Sequence, residues 1–282
     1  MPSERHMVLV DRKGNVRVFR LARTMFGRGL YFTGAYFVDG LMVDTGCAYS
    51  ATELVKALGD AAVSTIVNTH SHEDHIGANA ALQRRFGAEI MVHPDGLPFV
   101  QEPRRRRLRP YQRFFWGYPE GSAARPLGES VSSEHHRFEV IQAPGHSSDH
   151  VCLYEPAHGW LFTGDAYVGG KDRVLRADFN IWKIIGTLKK LAKLDIELLF
   201  TGSGSVRKNG RQEIVTKIEY LEELGQRVLD LHAKGWSHRR IRQKLFGRQD
   251  WIAYVTLGHY GGWNLVRSYV EDKPESVEKE LS

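Results

Sequence analysis

The chain's length and composition are ordinary for a globular protein with one large domain or a domain and a small appendage. It has 282 residues, of which 42% are hydrophobic and 26% are charged. The formal net charge of +6 favours anionic partners only weakly. Two cysteines are too few for a disulfide framework, and no apolar run is long enough for a signal peptide or a membrane span. We therefore expect a cytoplasmic protein with no membrane partner.

The N-terminal part has the pattern of antiparallel strands joined by tight turns. Apolar segments at 7–10 and 16–21 flank the turn sequence DRKGN, and the segments at 30–38 and 41–46 are joined by Asp39-Gly40. An Asp-Gly pair is a strong signal for a two-residue hairpin turn. Residues 50–60 then space their apolar side chains as a helix does. We predict two hairpins followed by a helix.

A dense group of potential metal ligands follows the next predicted strand, STIVNT at 64–69. The sequence THSHEDH at 69–75 places three histidines and two carboxylates within six positions. A helix is predicted at 77–87 and another strand at 88–94. Because ligands bind at the carboxyl ends of strands in α/β sheets, this position favours a binding site over a surface cluster.

Residues 95–127 interrupt this pattern with a stretch rich in arginine, proline and aromatic residues. The stretch is long for a plain connection, so we predict an inserted lid or substrate loop. Its arginines alternate with aromatic rings, which suits an anionic substrate with an apolar part, and the predicted substrate contacts are Arg113, Phe115 and Trp116. An amphipathic cover whose arginines shield apolar surface is an equally weighted alternative. Single-stranded nucleic acid is a less favoured partner.

Strand patterns resume after the insertion, and the last part of the chain is helical. Strands are predicted within 136–168 and at 197–202, with a helix between them at about 180–194. The C-terminal helices are predicted at 211–235, 237–247 and 262–272. We predict a catalytic domain over 1–210, a helical region over 211–272 packed on it, and a frayed tail over 273–282. A homodimer contact through these helices is an open alternative.

Two of the later predicted strands are followed by potential metal ligands of the same types as those in THSHEDH. His146 follows a strand in APGHSSDH, and Asp165 follows the strand WLFTG. A divalent metal needs neutral imidazole nitrogens and ionised carboxylates that converge on one point. In THSHEDH, the first two histidines can be aimed at one ion, and the Asp-His pair at a neighbouring one. A carboxylate at Asp165 can bridge two ions about 3.5–4 Å apart.

The order THSHEDH, then PGH, then TGDA resembles the metallo-β-lactamase superfamily, in the subset with an Asp in the first motif that includes glyoxalase II-like hydrolases. The resemblance extends from the N-terminal strands to about residue 205. It implies an α/β fold of the αββα sandwich type, with two facing sheets and, in this chain, a C-terminal helical extension. It implies a first metal site of His70, His72 and His146, a second site of Asp74 and His75 with Asp165 bridging, and an orienting carboxylate at Asp44.

One position departs from the family pattern. The family commonly ends its metal ligands with a histidine in a PGHG-like turn, but this chain has FTGSGS, with Ser203 at the histidine's position beside the ligands. A serine hydroxyl is a poor zinc ligand at neutral pH, so the second site lacks one nitrogen donor. Three outcomes are open. The second site is weak or empty, water completes it, or His259 in TLGHYGG reaches it.

The predicted activity is that of a metal-dependent hydrolase in which a metal-bound hydroxide attacks an ester, thioester or lactone of a small-molecule substrate. Asp74 is the predicted catalytic residue, because it would orient the attacking oxygen and carry its proton. Zinc, as one or two ions, is the expected cofactor, although iron or manganese fits the same ligands. The alternatives are a phosphodiesterase or nuclease of the same fold, a mononuclear iron enzyme similar to a sulfur dioxygenase, and a non-catalytic metal-binding protein.

Overall fold

The computed structural model describes residues 6–248 and 251–272, which form two compact units. The first unit comprises the chain up to Ala143, residues 148–168 and residues 195–210. The second comprises residues 144–147, residues 169–194 and the chain from Arg211 onward. The predicted frayed tail over 273–282 lies outside the described residues.

The larger sheet of the first unit has eight strands. They are β1 (His6–Lys13), β2 (Val16–Met25), β3 (Arg28–Gly29), β4 (Thr33–Val38), β5 (Leu41–Val43), β6 (Thr65–Val67), β7 (Glu89–Val92) and β8 (Ala124–Pro126). Their order is β1-β2-β4-β5-β6-β7-β8, with β3 paired to β2. The predicted hairpin turn between β4 and β5 is confirmed, since Asp39 and Gly40 have φ angles of 50° and 80°.

The remaining strands form one six-stranded and one two-stranded sheet. They are β9 (Ser130–Ser132), β10 (Arg137–Gln142), β11 (Val151–Glu155), β12 (Trp160–Gly164), β13 (Leu175–Arg176), β14 (Leu198–Thr201), β15 (Val206–Lys208) and β16 (Tyr260–Gly261). The six-stranded sheet belongs to the first unit and has the order β15-β14-β12-β11-β10-β9. The second unit contains the antiparallel pair of β13 and β16.

The helices complete both units. They are α1 (Ala51–Leu58), α2 (Asn79–Phe86), α3 (Leu97–Gln101), α4 (Pro110–Phe115), α5 (Ile181–Leu191), α6 (Gly210–Ala233), α7 (His238–Phe246), α8 (Trp251–Val255) and α9 (Gly262–Glu271). Helices α1 to α4 lie in the first unit. Helices α5, α7, α8 and α9, and α6 after its first residue Gly210, lie in the second unit. Within the ranges 6–248 and 251–272, no helix combines the length and the apolar character needed to cross a membrane.

The core of the first unit has two layers, which follow from the alternation of side chains along each strand. Val16 and Val18 of β2 belong to the same buried cluster as Phe162 of the six-stranded sheet, so this face of β2 packs between the sheets. The opposite face of β2 carries Phe19 and Leu21, which are buried with side chains of α1 and α2. The eight-stranded sheet is therefore covered by the second sheet on one face and by helices on the other.

The parallel strands of both sheets bring the predicted ligands to one edge. β5, β6 and β7 run parallel, as do β12 and β14, so each set ends at a common edge of its sheet. The two edges are joined by main-chain hydrogen bonds, from Val151 N to Thr69 O at 2.8 Å and from Gly34 N to Gly202 O at 2.6 Å. The segments that follow β5, β6, β12 and β14 therefore meet, and these segments carry most of the predicted site.

In the second unit, a buried asparagine fixes the turn before α9. The Nδ2 atom of Asn264 donates to the carbonyls of Leu175, Gly258 and His259 at 3.0, 3.1 and 3.0 Å. These bonds tie β13 to the turn that precedes α9. The predicted C-terminal helices correspond to α6, α7 and α9, whereas α8 and the two-stranded sheet have no strong pattern in the sequence.

Candidate metal centre

A buried carboxylate at the end of β5 organises the centre. Asp44 directly follows β5 in a left-handed conformation, with φ of 56°. Its Oδ1 accepts the backbone N–H of Thr69 at 2.8 Å, and its Oδ2 accepts the Thr69 hydroxyl at 2.7 Å. The same Oδ2 lies 2.7 Å from Nδ1 of His75. One side chain thus holds both ends of the THSHEDH segment, as expected for the predicted orienting carboxylate.

These bonds define which ring nitrogen of each histidine carries hydrogen. An ionised carboxylate can only accept, so the Nδ1 atom of His75 donates to Asp44, and in the neutral ring, which is the form that binds a metal, the Nε2 atom carries the lone pair. The Thr69 hydroxyl gives its proton to Asp44, so it accepts from Nδ1 of His70, which lies 3.1 Å away. The Nε2 atom of His70 therefore also presents a lone pair. Both rings are oriented as metal-ligating histidines are.

The Nε2 atom of His75 faces two carboxylates. It is buried and makes no hydrogen bond with any described residue, although Oδ1 of Asp165 lies 3.4 Å and Oδ2 of Asp74 3.9 Å away. One donor atom from each of His70, His75 and Asp165 lies within 4.8 Å of the others. Imidazole lone pairs and carboxylate oxygens around one buried point fit a divalent cation, which would neutralise the carboxylates and bind the unused nitrogen.

The pKa values of Asp74 and His75 reflect burial and the several carboxylates close to them. Burial raises the pKa of Asp74 to about 7, and the nearby carboxylates of Glu73 and Asp165 add to the effect. Burial lowers the pKa of His75, but its three acidic neighbours outweigh burial and raise it well above its usual range. Without a metal cation, the centre therefore holds protons in its place.

The first two histidines of the motif face each other. The Nε2 atom of His70 lies 2.9 Å from Nδ1 of His72, and both side chains are buried. His146 is also buried and lies in the segment 144–147 of the second unit. Both neighbours of this segment belong to the first unit, where the N–H of Ala143 donates to the carbonyl of His150 at 2.9 Å. His146 is therefore in a short segment whose two neighbours along the chain belong to the first unit.

Two glycines leave room for the carboxylate and for Thr69. A Cβ atom on Gly202 would overlap Oδ1 of Asp165, and one on Gly164 would lie 2.5 Å from the Thr69 hydroxyl oxygen. Gly164 also has a positive φ of 47°, which disfavours other residues. The TGDA and TGSGS sequences thus need glycine because the two strand ends approach each other closely at the centre.

The sequence did not identify three side chains that support the motif loop, which is THSHEDH at 69–75. The Thr69 hydroxyl connects Asp44 to His70, as described above. Asp149 accepts the backbone N–H of Ser71 at 2.8 Å, and the ring of His150 stacks on His70 with centroids 4.7 Å apart. Burial lowers the pKa of His150 to about 4, so its neutral Nε2 accepts the N–H of Asp165 at 3.1 Å. The sequence SSDH, which directly follows PGH, is the feature from which Asp149 and His150 could have been predicted.

Ser203 lies at the mouth of a small cavity beside Asp165. The cavity has a volume of about 20 Å³ and is lined by Tyr31, Phe32, Thr33, Asp165, Tyr167, Val168, Gly202 and Ser203. The Ser203 hydroxyl lies 3.0 Å from that of Thr201 and 3.3 Å from that of Ser205. A volume of this size holds about one water molecule. The cavity therefore has room for about one water molecule beside Ser203.

The arginine-rich stretch is anchored to the motif loop. Arg106 donates from Nη1 to the carbonyl of Ser71 at 2.6 Å and from Nη2 to its hydroxyl at 3.1 Å. Gln112 of α4 donates to Oε1 of the buried Glu73 at 2.7 Å. Arg105 pairs with Glu102 at 2.8 Å. Arg105 and Arg106 therefore bind groups of the protein itself, as arginines of an amphipathic cover would.

The three predicted substrate contacts differ in exposure. Arg113 is exposed, Phe115 is half-buried and Trp116 is buried. The ring of Trp116 packs edge-on against Tyr31, with centroids 5.6 Å apart. Because Tyr31 lines the cavity beside Asp165, Trp116 supports a wall of the centre, whereas Phe115 offers accessible aromatic surface nearby in the chain.

His259 lies in the second unit, in the turn before β16. Its Nε2 atom is 3.8 Å from Oδ1 of Asp178, and its carbonyl accepts the N–H of Ala177 at 2.9 Å. None of the groups of three potential ligand atoms found among residues 6–248 and 251–272 includes His259. Its proposed role as a metal ligand stays a prediction.

The sequence of this chain aligns with only part of the length of several curated relatives. A hydroxyacylglutathione hydrolase from Thermosynechococcus vestitus is 34% identical over 110 residues, which cover 39% of this chain and 37% of that protein. A hydroxyacylglutathione hydrolase from Haemophilus influenzae is 28% identical over 163 residues, covering 55% of this chain and 74% of that protein. The chain spans 37% and 53% of the length of the first two such relatives.

Solved structures agree on the fold. A metallo-beta-lactamase family protein from Thermus thermophilus superposes with a TM-score of 0.60 and 18% identity, covering 95% of this chain and 92% of that one. A metallo-beta-lactamase from Pontibacter korlensis gives a TM-score of 0.60 with 16% identity, covering 76% and 99%. The predicted αββα fold class, with helices after it, is confirmed. The family model described as the metallo-beta-lactamase superfamily matches residues 28–203, more than half of the chain, and the chain belongs to this superfamily.

Proposed function

We propose that this chain is a cytoplasmic metal-dependent hydrolase that cleaves thioesters. The observation that carries the proposal is the orphaned Nε2 atom of His75. It is oriented by Asp44 and lies between the carboxylates of Asp74 and Asp165 in a buried site. A purely structural metal site has no need of a carboxylate that also orients a nucleophile, which is the role we propose for Asp74. Cys47 and Cys152 are both buried and neither forms a disulfide, which accords with a reducing compartment.

The ligands divide into two sets. We assign His70, His72 and His146 to the first metal ion. We assign Asp74 and His75 to the second ion, with Asp165 bridging. The facing nitrogens of His70 and His72 support the first set, and the family's order of motifs supports the inclusion of His146.

The second ion needs one more ligand than these residues supply. We propose that water takes this place, because the cavity lined by Ser203 and Asp165 has room for about one water molecule. His259 is the alternative ligand. The variant His259→Ala separates the two, since metal content per chain is unchanged if water completes the site and falls if His259 does.

The reaction needs a proton carrier beside the attacking water. A divalent metal held by these ligands supplies a Lewis acid that polarises the scissile carbonyl and lowers the pKa of water to about 7. The carboxylate of Asp74 orients the attacking oxygen and accepts its proton. As the carbon–sulfur bond breaks, the same carboxyl group returns a proton to the departing thiolate, so that a carboxylic acid and a thiol are formed.

The substrate class is inferred from two observations. Two relatives above are named for hydrolysis of a hydroxyacylglutathione, which is a thioester with an anionic peptide part. In this chain, Arg113 and Phe115 are accessible in the segment anchored to the motif loop. We propose that they contact the anionic and apolar parts of the substrate. The engaged arginines of the same segment leave less support for nucleic acid as the substrate.

A substrate panel tests the proposal. Zinc-loaded protein is assayed with an acyl-glutathione, a lactone, a β-lactam and a phosphodiester, beside the variants Asp74→Asn and Asp60→Asn. We expect thioester turnover with the highest kcat/KM, a loss of about 100-fold or more in Asp74→Asn, and none in Asp60→Asn, whose side chain is fully exposed. Preference for the phosphodiester, or full thioester activity in Asp74→Asn, would refute it.

A further inference from the structure

A second group of potential metal ligands lies in the first unit at the other end of β11. His136 immediately precedes β10, Glu155 is the last residue of β11, and His158 lies in the turn from β11 to β12. One donor atom from each of the three lies within 4.8 Å of the others. β11 begins at Val151, whose N–H binds the carbonyl of Thr69 beside the candidate centre. Four residue steps along an extended strand separate Val151 from Glu155 by about 13 Å.

The donor atoms are spaced nearly as a metal requires. The Nδ1 atom of His136 lies 3.4 Å from Oε1 of Glu155, and the Nδ1 atom of His158 lies 3.0 Å from Oε2. In a tetrahedral zinc site with bonds of about 2.0–2.1 Å, neighbouring ligand atoms are about 3.3–3.5 Å apart. Small rotations of the two rings are therefore enough to bring all three donors onto one ion, and one coordination position remains for water.

The carboxylate of this group is unusual in its burial and in its partners. Glu155 is 2% exposed, and its ion-pair partners among the described residues are His136 and His158, with no lysine or arginine. Burying a carboxylate is costly unless it is paired with a cation or coordinates a metal. The backbone N–H of His158 donates to Oε2 at 2.7 Å, which positions the carboxylate without neutralising it.

An indole ring holds both imidazoles in place. The ring of Trp160 stacks on His158 with centroids 4.6 Å apart and an angle of 27°, and it lies 5.1 Å from the ring of His136. Neither histidine can swing far without losing this contact. The indole therefore limits the positions that both rings can take.

We propose that His136, Glu155 and His158 form a second binding site for a divalent transition metal of the zinc class, separate from the candidate centre at the opposite end of β11. Two imidazoles and one carboxylate suit Zn²⁺, Ni²⁺ and Cu²⁺ better than Mg²⁺ or Ca²⁺. Bound metal fastens the start of β10 to the turn between β11 and β12. The site does not depend on the hydrolase proposal, and loss of its ligands leaves the candidate centre intact.

The stacked indole makes the site measurable without an activity assay. Cu²⁺ quenches indole emission on close approach, so Cu²⁺ alone is titrated into the full-length protein while tryptophan fluorescence is recorded. We expect a saturable component of quenching that is lost in Trp160→Phe, whereas any quenching of Trp116 at the candidate centre is retained in this variant. In His158→Gln, the apparent Kd rises by about tenfold or more, since even substitutions outside the ligands cost about 10–100-fold in affinity. Zn²⁺, which does not quench, reverses the effect in the wild-type protein.

His158→Gln and its control distinguish loss of the metal site from misfolding and from metal binding by a neighbouring group. The His158 side chain is 49% exposed, so His158→Gln should fold normally. His135→Gln is the matched control, because His135 is the adjacent histidine and belongs instead to an exposed group with Asp39 and Glu134. Quenching that is unchanged in His158→Gln and Trp160→Phe, or that is lost in His135→Gln, overturns the proposal. Quenching lost in His158→Gln and retained in His135→Gln supports it.

Discussion

The imidazole of His75 and the carboxylate of Asp44 form a buried pair, with Nδ1 and Oδ2 2.7 Å apart. The two residues are 31 positions apart in the chain and follow different parallel strands. The same carboxylate oxygen accepts the Thr69 hydroxyl, which in turn contacts His70. Asp44 therefore positions one ligand of each proposed metal set, although it binds no metal itself in our assignment.

Replacing this carboxylate should weaken metal binding without removing a ligand. In Asp44→Asn, an amide takes the place of an acceptor-only group, so the ring of His75 and the hydroxyl of Thr69 are no longer oriented together. We expect zinc affinity to fall by about 10–100-fold, measured by competition with a chromophoric chelator. The exposed variant Asp60→Asn should match the wild-type protein. Equal affinity in Asp44→Asn and Asp60→Asn would show that Asp44 has no orienting role.

The close approach of Gly202 to Asp165 predicts a large effect from one methyl group. In Gly202→Ala, the new Cβ would overlap Oδ1 of Asp165, so the proposed bridging carboxylate must move. We expect bound metal and kcat/KM to fall by about tenfold or more, because small displacements of catalytic groups are costly. Gly128→Ala is the control, since a Cβ there has no atom within 4 Å. Similar metal content and turnover in the two variants would contradict this prediction.

The raised pKa of Asp74 predicts how zinc affinity depends on pH. Asp74 has a pKa of about 7 in the metal-free protein, so below pH 7 it must lose a proton when metal binds. Between pH 5 and 7 we expect the logarithm of the zinc association constant to rise more steeply with pH in the wild-type protein than in Asp74→Asn, by about one per pH unit. Above pH 7 the two slopes should agree. Parallel lines over the whole range would assign the proton to another group.

The raised pKa of Asp74 also predicts how the stability of the metal-free protein changes with pH. A carboxyl group whose pKa is raised in the folded state stabilises the metal-free protein when it is protonated, and this stabilisation is lost as pH rises through about 7. The gain in Tm on adding zinc should therefore grow from pH 5 to pH 8. Thermal unfolding of the metal-free and zinc-loaded proteins measures it, with Asp74→Asn as the reference that lacks the titrating group.

Restoring the family's histidine should strengthen the second site. Ser203 lines the cavity beside Asp165, so the imidazole of Ser203→His would take the place of the proposed water. We expect zinc retained after dialysis to rise by up to about one ion per chain, measured by elemental analysis. Ser205→His, in the same loop between β14 and β15, is the matched control. If neither variant, or both equally, retained more zinc, position 203 would not be the place of the missing ligand.

The sequence predicted elements whose signals are local. The Asp39-Gly40 turn, the spacing of α1 and the strand before THSHEDH each depend on a few neighbouring residues, and all three are present. These agreements arise because turn chemistry and side-chain period act over short distances.

Other features depend on contacts that no local pattern encodes. The stack of His150 on His70 and the bond from Arg106 to Ser71 join residues 80 and 35 positions apart, and each residue alone is ordinary in sequence. The group of His136, Glu155 and His158 likewise forms only when β10, β11 and β12 pair. Tertiary packing, rather than propensity, decides these positions.

The dependence of thioester hydrolysis on bound metal tests the central proposal most directly. Wild-type protein is assayed with an acyl-glutathione as purified, after chelation to less than about 0.1 metal ion per chain, and after zinc is returned. We predict that turnover is lost on chelation, in proportion to the metal removed, and recovers with zinc. Turnover that persists in the metal-free protein, or that is absent from the fully zinc-loaded protein, would contradict the proposed function.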